Sequence, residues 1–228
     1  MGKTHSPIKV NGKVGNDVHY MLNGIPVVRR MAKKKRGPKS KGEKERLLYN
    51  RDFGKASKAG KFLRRALEEE LQLLKDRYVY QRVNRLSAQL FLCDPAAPGE
   101  RLVAAGLATS EGQALFSSFV FHHKKVPYPQ LKKAIRKPGK LCLEFSGISP
   151  NRAEVLELQV NFSNGAFRKH AHHLAELPAD GSIVIKRIFR SRKGFTDLVM
   201  VSGEKFLQGV VVTEEKWGGS SIEGTQSR

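Results

Sequence analysis

Residues 156–162 read Leu-Glu-Leu-Gln-Val-Asn-Phe, with an apolar side chain at every second position. Successive side chains of a strand point to opposite faces of its sheet, so this alternation predicts a β-strand. The same period of two runs through Leu141, Leu143 and Phe145. These two stretches place the C-terminal half of the chain in the β class.

Other stretches rich in β-forming residues surround these two, and turn dipeptides such as Asn164-Gly165, Asp180-Gly181 and Ser202-Gly203 separate them. Short strands spaced by about eight to twelve residues are typical of a β sandwich. We therefore predict an antiparallel immunoglobulin- or fibronectin-like sandwich over 114–217, followed by a flexible tail over 218–228. The additional candidate strands are 115–121, 167–173, 183–188, 195–201 and 206–213.

An apolar stripe with spacings of four and three predicts that residues 45–98 are helical, with an interruption between Gly54 and Gly60. Pro95 and the pair Pro98-Gly99 end this region, and residues 99–113 are expected to be a connector. The stripe consists of Leu63, Leu67, Leu71, Leu74 and Tyr78.

Residues 1–31 are expected to form a small β hairpin unit. Asn23-Gly24 is a strong hairpin signal, because both residue types accept the positive φ angles of a tight turn. Pro26 cannot donate a backbone hydrogen bond, so the second strand should begin there or lie at an edge. The fold class that follows is α+β: a β hairpin and a basic helical arm before the β sandwich.

The charge of the chain is concentrated in one segment. Between Arg29 and Arg65 lie sixteen Lys or Arg residues and three acidic residues, which carry +13 of the total net charge of +21. Residues 32–44 are broken by Gly37-Pro38 and Gly42 and are expected to be a basic linker. Such a density of positive charge indicates a polyanionic partner, and nucleic acid is the first candidate.

On a helix, Lys58, Lys61 and Arg65 would share one face, where they could neutralise successive phosphates. Tyr20, Tyr49 and Phe53 lie nearby and could stack on bases, although packing against the helix is the simpler expectation for each. We predict contact with the phosphate backbone without sequence specificity. The candidate nucleic-acid-binding residues are Arg29, Arg30, Lys33, Lys34, Lys35, Arg36, Lys39, Lys41, Arg46, Arg51, Lys55, Lys58, Lys61 and Arg65.

Two other interpretations of the basic segment remain open. The charge could form a solvated or protein-contacting face, in which case the protein is a structural or assembly protein whose arm and hairpin dock into neighbouring subunits. The segment could also lie on an anionic membrane, which is the weaker alternative. No apolar run approaches the length of a membrane helix and no secretory signal is recognisable, so a cytoplasmic location is expected.

Histidines are the first candidates for chemistry elsewhere. His170 and His172 would share one face of a strand and are weak candidates for a metal site, because no cysteine or acid at ligand spacing completes it. The two cysteines, Cys93 and Cys142, lie far apart and are expected to be buried thiols. The chain contains no Gly-x-Ser-x-Gly, His-Glu-x-x-His or phosphate-binding glycine loop, so we predict neither catalysis nor a cofactor.

The N-terminal sequence contains three characteristic stretches: Val10-Asn11-Gly12-Lys13-Val14-Gly15-Asn16, residues 20–24 and Val27-Val28-Arg29. Together they resemble the opening of a family of uncharacterised Bacteroidota proteins. The resemblance covers about residues 9–65; the loop is richer in lysine here, and the family's Ser-x-Pro after the arginine is missing. The family is a domain of unknown function, so the resemblance implies a hairpin, a basic loop, a helix, a sandwich-like domain and a bacterial or phage-like origin. It brings no activity and no functional residues.

Overall fold

A computed structural model describes residues 2–3, 11–22, 24–33, 37–122, 128–147, 153–174 and 181–214. The chain divides into two compact units, Met1–Lys44 and Glu45–Arg228. Three of the predicted basic residues, Lys34, Lys35 and Arg36, and the tail predicted for 218–228 lie outside the described residues.

The first unit is a small antiparallel sheet. Its strands are β1 (Gly2–Lys3), β2 (Gly12–Val14), β3 (Asp17–Leu22) and β4 (Ile25–Arg30), in the order β1-β4-β3-β2. Leu22 pairs with Ile25, so a two-residue loop joins β3 to β4, and Gly24 in that loop has a φ of +81°. The predicted β hairpin is therefore confirmed, with β4 beginning one residue before Pro26.

Three helices follow in the chain: α1 (Lys41–Ala66), α2 (Glu68–Leu73) and α3 (Val79–Leu92). All of them belong to the second unit except residues 41–44 of α1. Helix α1 begins inside the segment expected to be a linker and runs through Gly54 and Gly60 without the predicted interruption. Neither Gly54 nor Gly60 has a positive φ, so both fit the ordinary backbone of an α-helix. The predicted apolar stripe is buried from Leu63 to Leu71, and Tyr78 at its end is exposed.

Two short helices, α4 (Val103–Ala108) and α5 (Ser110–Ser118), occupy the predicted connector and the first predicted strand, 115–121. Both predictions were wrong. Thr109 caps α5, because its side-chain oxygen accepts a hydrogen bond from the Gly112 N–H at 3.0 Å. Gly112 and Phe116 are the buried residues of α5, and their spacing of four is that of a helix.

Seven strands form one sheet in the order β8-β7-β10-β11-β5-β6-β9. Neighbouring strands are antiparallel except β11 and β5, which run parallel with Val212 beside Ala134. In chain order the strands are β5 (Pro129–Lys137), β6 (Lys140–Gly147), β7 (Glu154–Val160), β8 (Phe167–His173), β9 (Gly181–Lys186), β10 (Thr196–Gly203) and β11 (Phe206–Glu214).

Strands β6 to β11 confirm six of the predicted stretches, and β8 has the predicted bounds. Strand β5 was missed because a bulge between Leu131 and Lys133 shifts its register and breaks the alternation of apolar residues. The turn predicted at Ser202-Gly203 lies two residues later, at Glu204 and Lys205, because Gly203 still pairs with Phe206.

Two apolar cores lie on the two sides of strands β7, β10 and β11. On one side Leu158 and Leu198 share a core with Phe116 of α5. On the other side Val199 shares a core with Leu143 of β6. The curled sheet thus forms two β layers, and the helices cover the outer side of the first. The molecule is an α+β protein with a sandwich-like β part, as predicted.

Candidate nucleic-acid interface

Helix α1 has one buried face, which fixes where its charges point. The buried residues recur at helical spacing and are mostly small, so α1 can approach α3 closely. A Cβ atom added to Gly60 would lie 2.8 Å from Asn84 Oδ1 and 2.9 Å from Ser87 Oγ of α3. The opposite face of α1 must therefore be exposed. The buried residues are Asp52, Ala56, Ala59, Gly60, Leu63 and Ala66.

Four exposed cations, Arg51, Lys58, Lys61 and Arg65, lie on that opposite face. With 100° per residue they fall within an arc of about 80°, and they span about 21 Å of the helix axis. We call these four residues the basic face. The shared face that the sequence predicted for Lys58, Lys61 and Arg65 is present.

Three acidic side chains near α1, those of Asp52, Glu69 and Glu70, are occupied by other partners. Asp52 is buried and accepts a hydrogen bond from the Gly99 N–H at 2.8 Å. The carboxylates of Glu69 and Glu70 bind the Lys169 ammonium of β8 at 2.6 and 2.9 Å. Within the part of the chain that the structure describes, no ion pair joins an acid to any of the four cations of the basic face.

Lys55 differs from the other predicted contact residues of α1. Its ammonium donates to the Gly99 carbonyl at 2.7 Å and to the Arg101 carbonyl at 3.4 Å, and its side chain is partly buried. It therefore fastens the loop after α3 to α1. Sequence reasoning could not separate Lys55 from its neighbours, because the two carbonyls come from more than forty residues away.

The remaining predicted cations are exposed wherever the structure describes them. Arg29 and Arg30 end strand β4, and Lys33 follows it. In the same unit Lys39 precedes α1 and Lys41 is its first residue. Arg46 is exposed in the second turn of the helix.

Aromatic side chains of α1 and α3 are exposed, against the expectation that they would pack on the helix. Tyr49 is 59% exposed and Phe53 is 71% exposed. Tyr80 of α3 is 56% exposed, and the Arg64 guanidinium lies 3.6 Å from the centre of its ring. Residues 44–51 of α1 are all exposed, and Leu47 and Leu48 beside the two aromatics are 42% and 40% exposed. The first half of α1 thus presents large apolar side chains of a kind that is usually buried. Tyr20 of β3 is half-buried.

His170 and His172 share a face of β8, with their ring centres 4.8 Å apart. His172 Nε2 lies 3.5 Å from the Glu157 carboxylate. Burial lowers the pKa of His172, and the hydrogen-bonding and charge of Glu157 oppose that shift. Among the described residues, no three His, Cys, Asp or Glu side chains are grouped so that they could hold a metal ion.

Polar groups of the β part hold the segment after β9 in place. The Glu157 carboxylate accepts hydrogen bonds from the Ile188 and Phe189 N–H groups, both at 2.8 Å. The Gln159 amide donates to Asp197 and to the Arg190 carbonyl, also at 2.8 Å. Burial raises the pKa of Asp197, while this amide and nearby arginines oppose the shift. We assign this network a structural role, because each carboxylate already has donors.

Cys93 and Cys142 are free thiols and are partly exposed, which corrects the prediction that both are buried. Burial nevertheless raises the pKa of the Cys93 thiol, so it is a weaker nucleophile than an exposed cysteine.

No family model, curated protein or solved structure matches this chain. The basic face is therefore interpreted from its own geometry. Within the described residues, no helix combines the length and the apolar character that crossing a bilayer requires.

Proposed function

We propose that this protein binds the phosphate backbone of nucleic acid through the basic face of α1, without sequence specificity and without catalysis. The observation that carries the proposal is a row of four exposed cations on one rigid helix, with no acidic partner among the described residues. Cations arranged in this way release the counterions condensed on a polyanion, and that release drives binding.

The dimensions of the basic face suit such a ligand. One strand of duplex DNA carries a phosphate about every 3.4 Å of helix axis, so the length of the basic face corresponds to about six phosphates. Four cations can each reach a different phosphate over that length. Contacts of this kind position a nucleic acid but do not read its sequence.

A membrane surface fits α1 less well. An interfacial helix inserts its apolar face into the lipid. From Ala56 onward the apolar face of α1 is buried against the core through residues such as Ala59 and Leu63, so only the exposed apolar residues of its first half, Leu47, Leu48, Tyr49 and Phe53, could meet lipid. The proposal does not depend on the predicted cations of the first unit, such as Arg29 and Arg30, which could contribute further phosphate contacts.

The test is the dependence of affinity on salt. Fluorescence anisotropy with a labelled mixed-sequence duplex should give a straight line for the logarithm of the binding constant against the logarithm of salt concentration. Replacing Arg51, Lys58, Lys61 and Arg65 by Ser removes four phosphate contacts and should reduce the steepness of that line by about 3 to 4.

The matched control replaces four exposed cations of the β part, Lys140, Lys186, Arg192 and Lys193, by Ser. It removes the same charge but none of the proposed phosphate contacts, so the slope should stay within about 1 of the original. Equal losses in the two variants would mean that overall charge, and not the basic face, binds the ligand. Absence of binding at low salt together with salt-independent self-association would favour the assembly protein instead.

A further inference from the structure

We infer that the preferred ligand is a single strand of nucleic acid, whose bases stack on exposed aromatic side chains beside the basic face. The inference rests on the proposed function and adds the strandedness of the ligand. It starts from Tyr49 and Phe53, which lie one turn apart on α1 and expose most of their surface.

The two aromatics lie between two arginines along one side of the helix. With 100° per residue, Arg46, Tyr49, Phe53 and Arg64 fall within an arc of about 60°. We call these four residues the aromatic flank. It lies about a third of a turn from the centre of the basic face, so phosphates on that face leave their bases free to turn toward the flank.

At the far end of the flank, Arg64 already stacks on an aromatic ring of the protein itself. The Arg64 guanidinium covers the ring of Tyr80 at 3.6 Å, and Asn84 accepts a hydrogen bond from the same guanidinium. Arg64 lies eleven residues after Phe53, about 16 Å along the axis. Planar groups are thus presented at both ends of the flank.

Charge complementarity selects the occupant of this surface. A protein that docked on Tyr49 and Phe53 would have to accept the exposed cation Arg46, one turn before Tyr49. A single strand supplies phosphates for the cations and flat base faces for the aromatics, which is how proteins bind single strands without reading sequence. In a duplex the base faces are stacked on each other and cannot reach these rings.

The experiment compares ligands of equal charge. Affinities are measured at one salt concentration for a thymidine oligonucleotide, a uridine oligonucleotide, an abasic phosphodiester of the same length and a duplex of half that length, which carries the same number of phosphates. We expect both base-bearing single strands to bind at least about fivefold more tightly than the abasic strand, since stacking on one aromatic contributes that much.

Variants assign the difference to the flank. Tyr49→Ala and Phe53→Ala should each weaken thymidine binding by about fivefold or more and leave abasic binding unchanged. Phe53→Tyr should retain the affinity, whereas Phe53→Leu, which is apolar but not aromatic, should lose it. Both side chains are exposed, so circular dichroism should show unchanged folding. Phe167→Ala removes a partly exposed aromatic of β8 and should have no effect.

The outcomes separate this inference from the proposed function. Equal affinity for thymidine and abasic strands, with no effect of Phe53→Ala, would overturn the single-strand inference and leave phosphate binding intact. A duplex that binds as tightly as the thymidine strand would overturn it as well. Failure of all four ligands to bind at low salt would overturn the proposed function itself.

Discussion

The basic face exists only if α1 is continuous through Gly54, because Arg51 and Lys58 lie on opposite sides of that residue. Replacing Gly54 by Ala tests this continuity directly. A Cβ atom at position 54 would meet nothing within 4 Å, so the substitution carries no steric cost. Alanine is favoured over glycine inside a helix by about 0.8–1.0 kcal/mol. The expected effect of Gly54→Ala is therefore a gain in stability of about 0.5–1 kcal/mol.

Urea denaturation followed by circular dichroism measures this effect. With a slope of about 2 kcal/mol per molar urea, the midpoint should rise by about 0.25–0.5 M while the slope stays constant. Affinity for a mixed-sequence duplex should be kept or slightly increased, because the variant holds the basic face in the same geometry. An unchanged or lower midpoint would refute the reasoning and would favour the interrupted helix that the sequence alone predicts.

Gly106→Ala is the contrasting control, since it also places alanine inside a helix. Here the added Cβ would lie 1.9 Å from the Leu90 carbonyl oxygen, which belongs to the backbone of α3. Helices α3 and α4 would have to separate, so overpacking outweighs the gain in helix propensity. We expect a net loss of at least about 2 kcal/mol. A gain at Gly106 equal to that at Gly54 would contradict the close contact between α3 and α4.

Two further predictions concern side chains whose roles the structure separates. Lys55→Met should cost about 1.5–3 kcal/mol of stability, because the Gly99 and Arg101 carbonyls lose a charged donor. The same substitution should leave the salt dependence of nucleic-acid binding unchanged. A slope reduced as much as in Lys58→Ser would show that Lys55 contacts the ligand. Burial lowers the pKa of His172 below its ordinary value of 6.5, so the unfolded chain takes up the proton first and the free energy of unfolding should fall as pH drops through 6.5 toward the folded pKa. His172→Gln should flatten that decline in urea titrations, whereas an equal flattening in His173→Gln, at an exposed neighbour, would contradict the assignment to His172.

The spacing of apolar residues and the turn dipeptides predicted the strands and helices whose burial depends on residues close by in the sequence. The apolar residues of β7 recur at every second position from Leu156, and the turn at Asn164-Gly165 separates β7 from β8, so the positions of both strands could be predicted. Strand β5 carries four cations and a bulge, and its place between β11 and β6 depends on pairing with distant residues. The end of helix α5 was mistaken for a strand because its large apolar residues, Leu115 and Phe116, are adjacent and show no helical spacing.

The candidate site divides in the same way. The shared face of Lys58, Lys61 and Arg65 follows from helical geometry and could be predicted from spacing. The role of Lys55 and the exposure of Phe53 could not, because both depend on which distant segments approach α1. Gly60 shows the same limit: it favours an interruption when only local propensity counts, whereas in the fold it allows α3 to approach.

The parallel pair of β11 with β5 has a consequence for how the chain folds. Strand β11 stands in the middle of the seven-stranded order, and its partners in β5 lie seventy-eight residues earlier. Contacts of such long sequence separation slow folding, because a large loop must close before they form. During synthesis the two β layers can join only after residues 206–214 have left the ribosome. Until then β5 and β10 each lack a neighbour, and a growing chain with two unpaired edges is a natural substrate for chaperones.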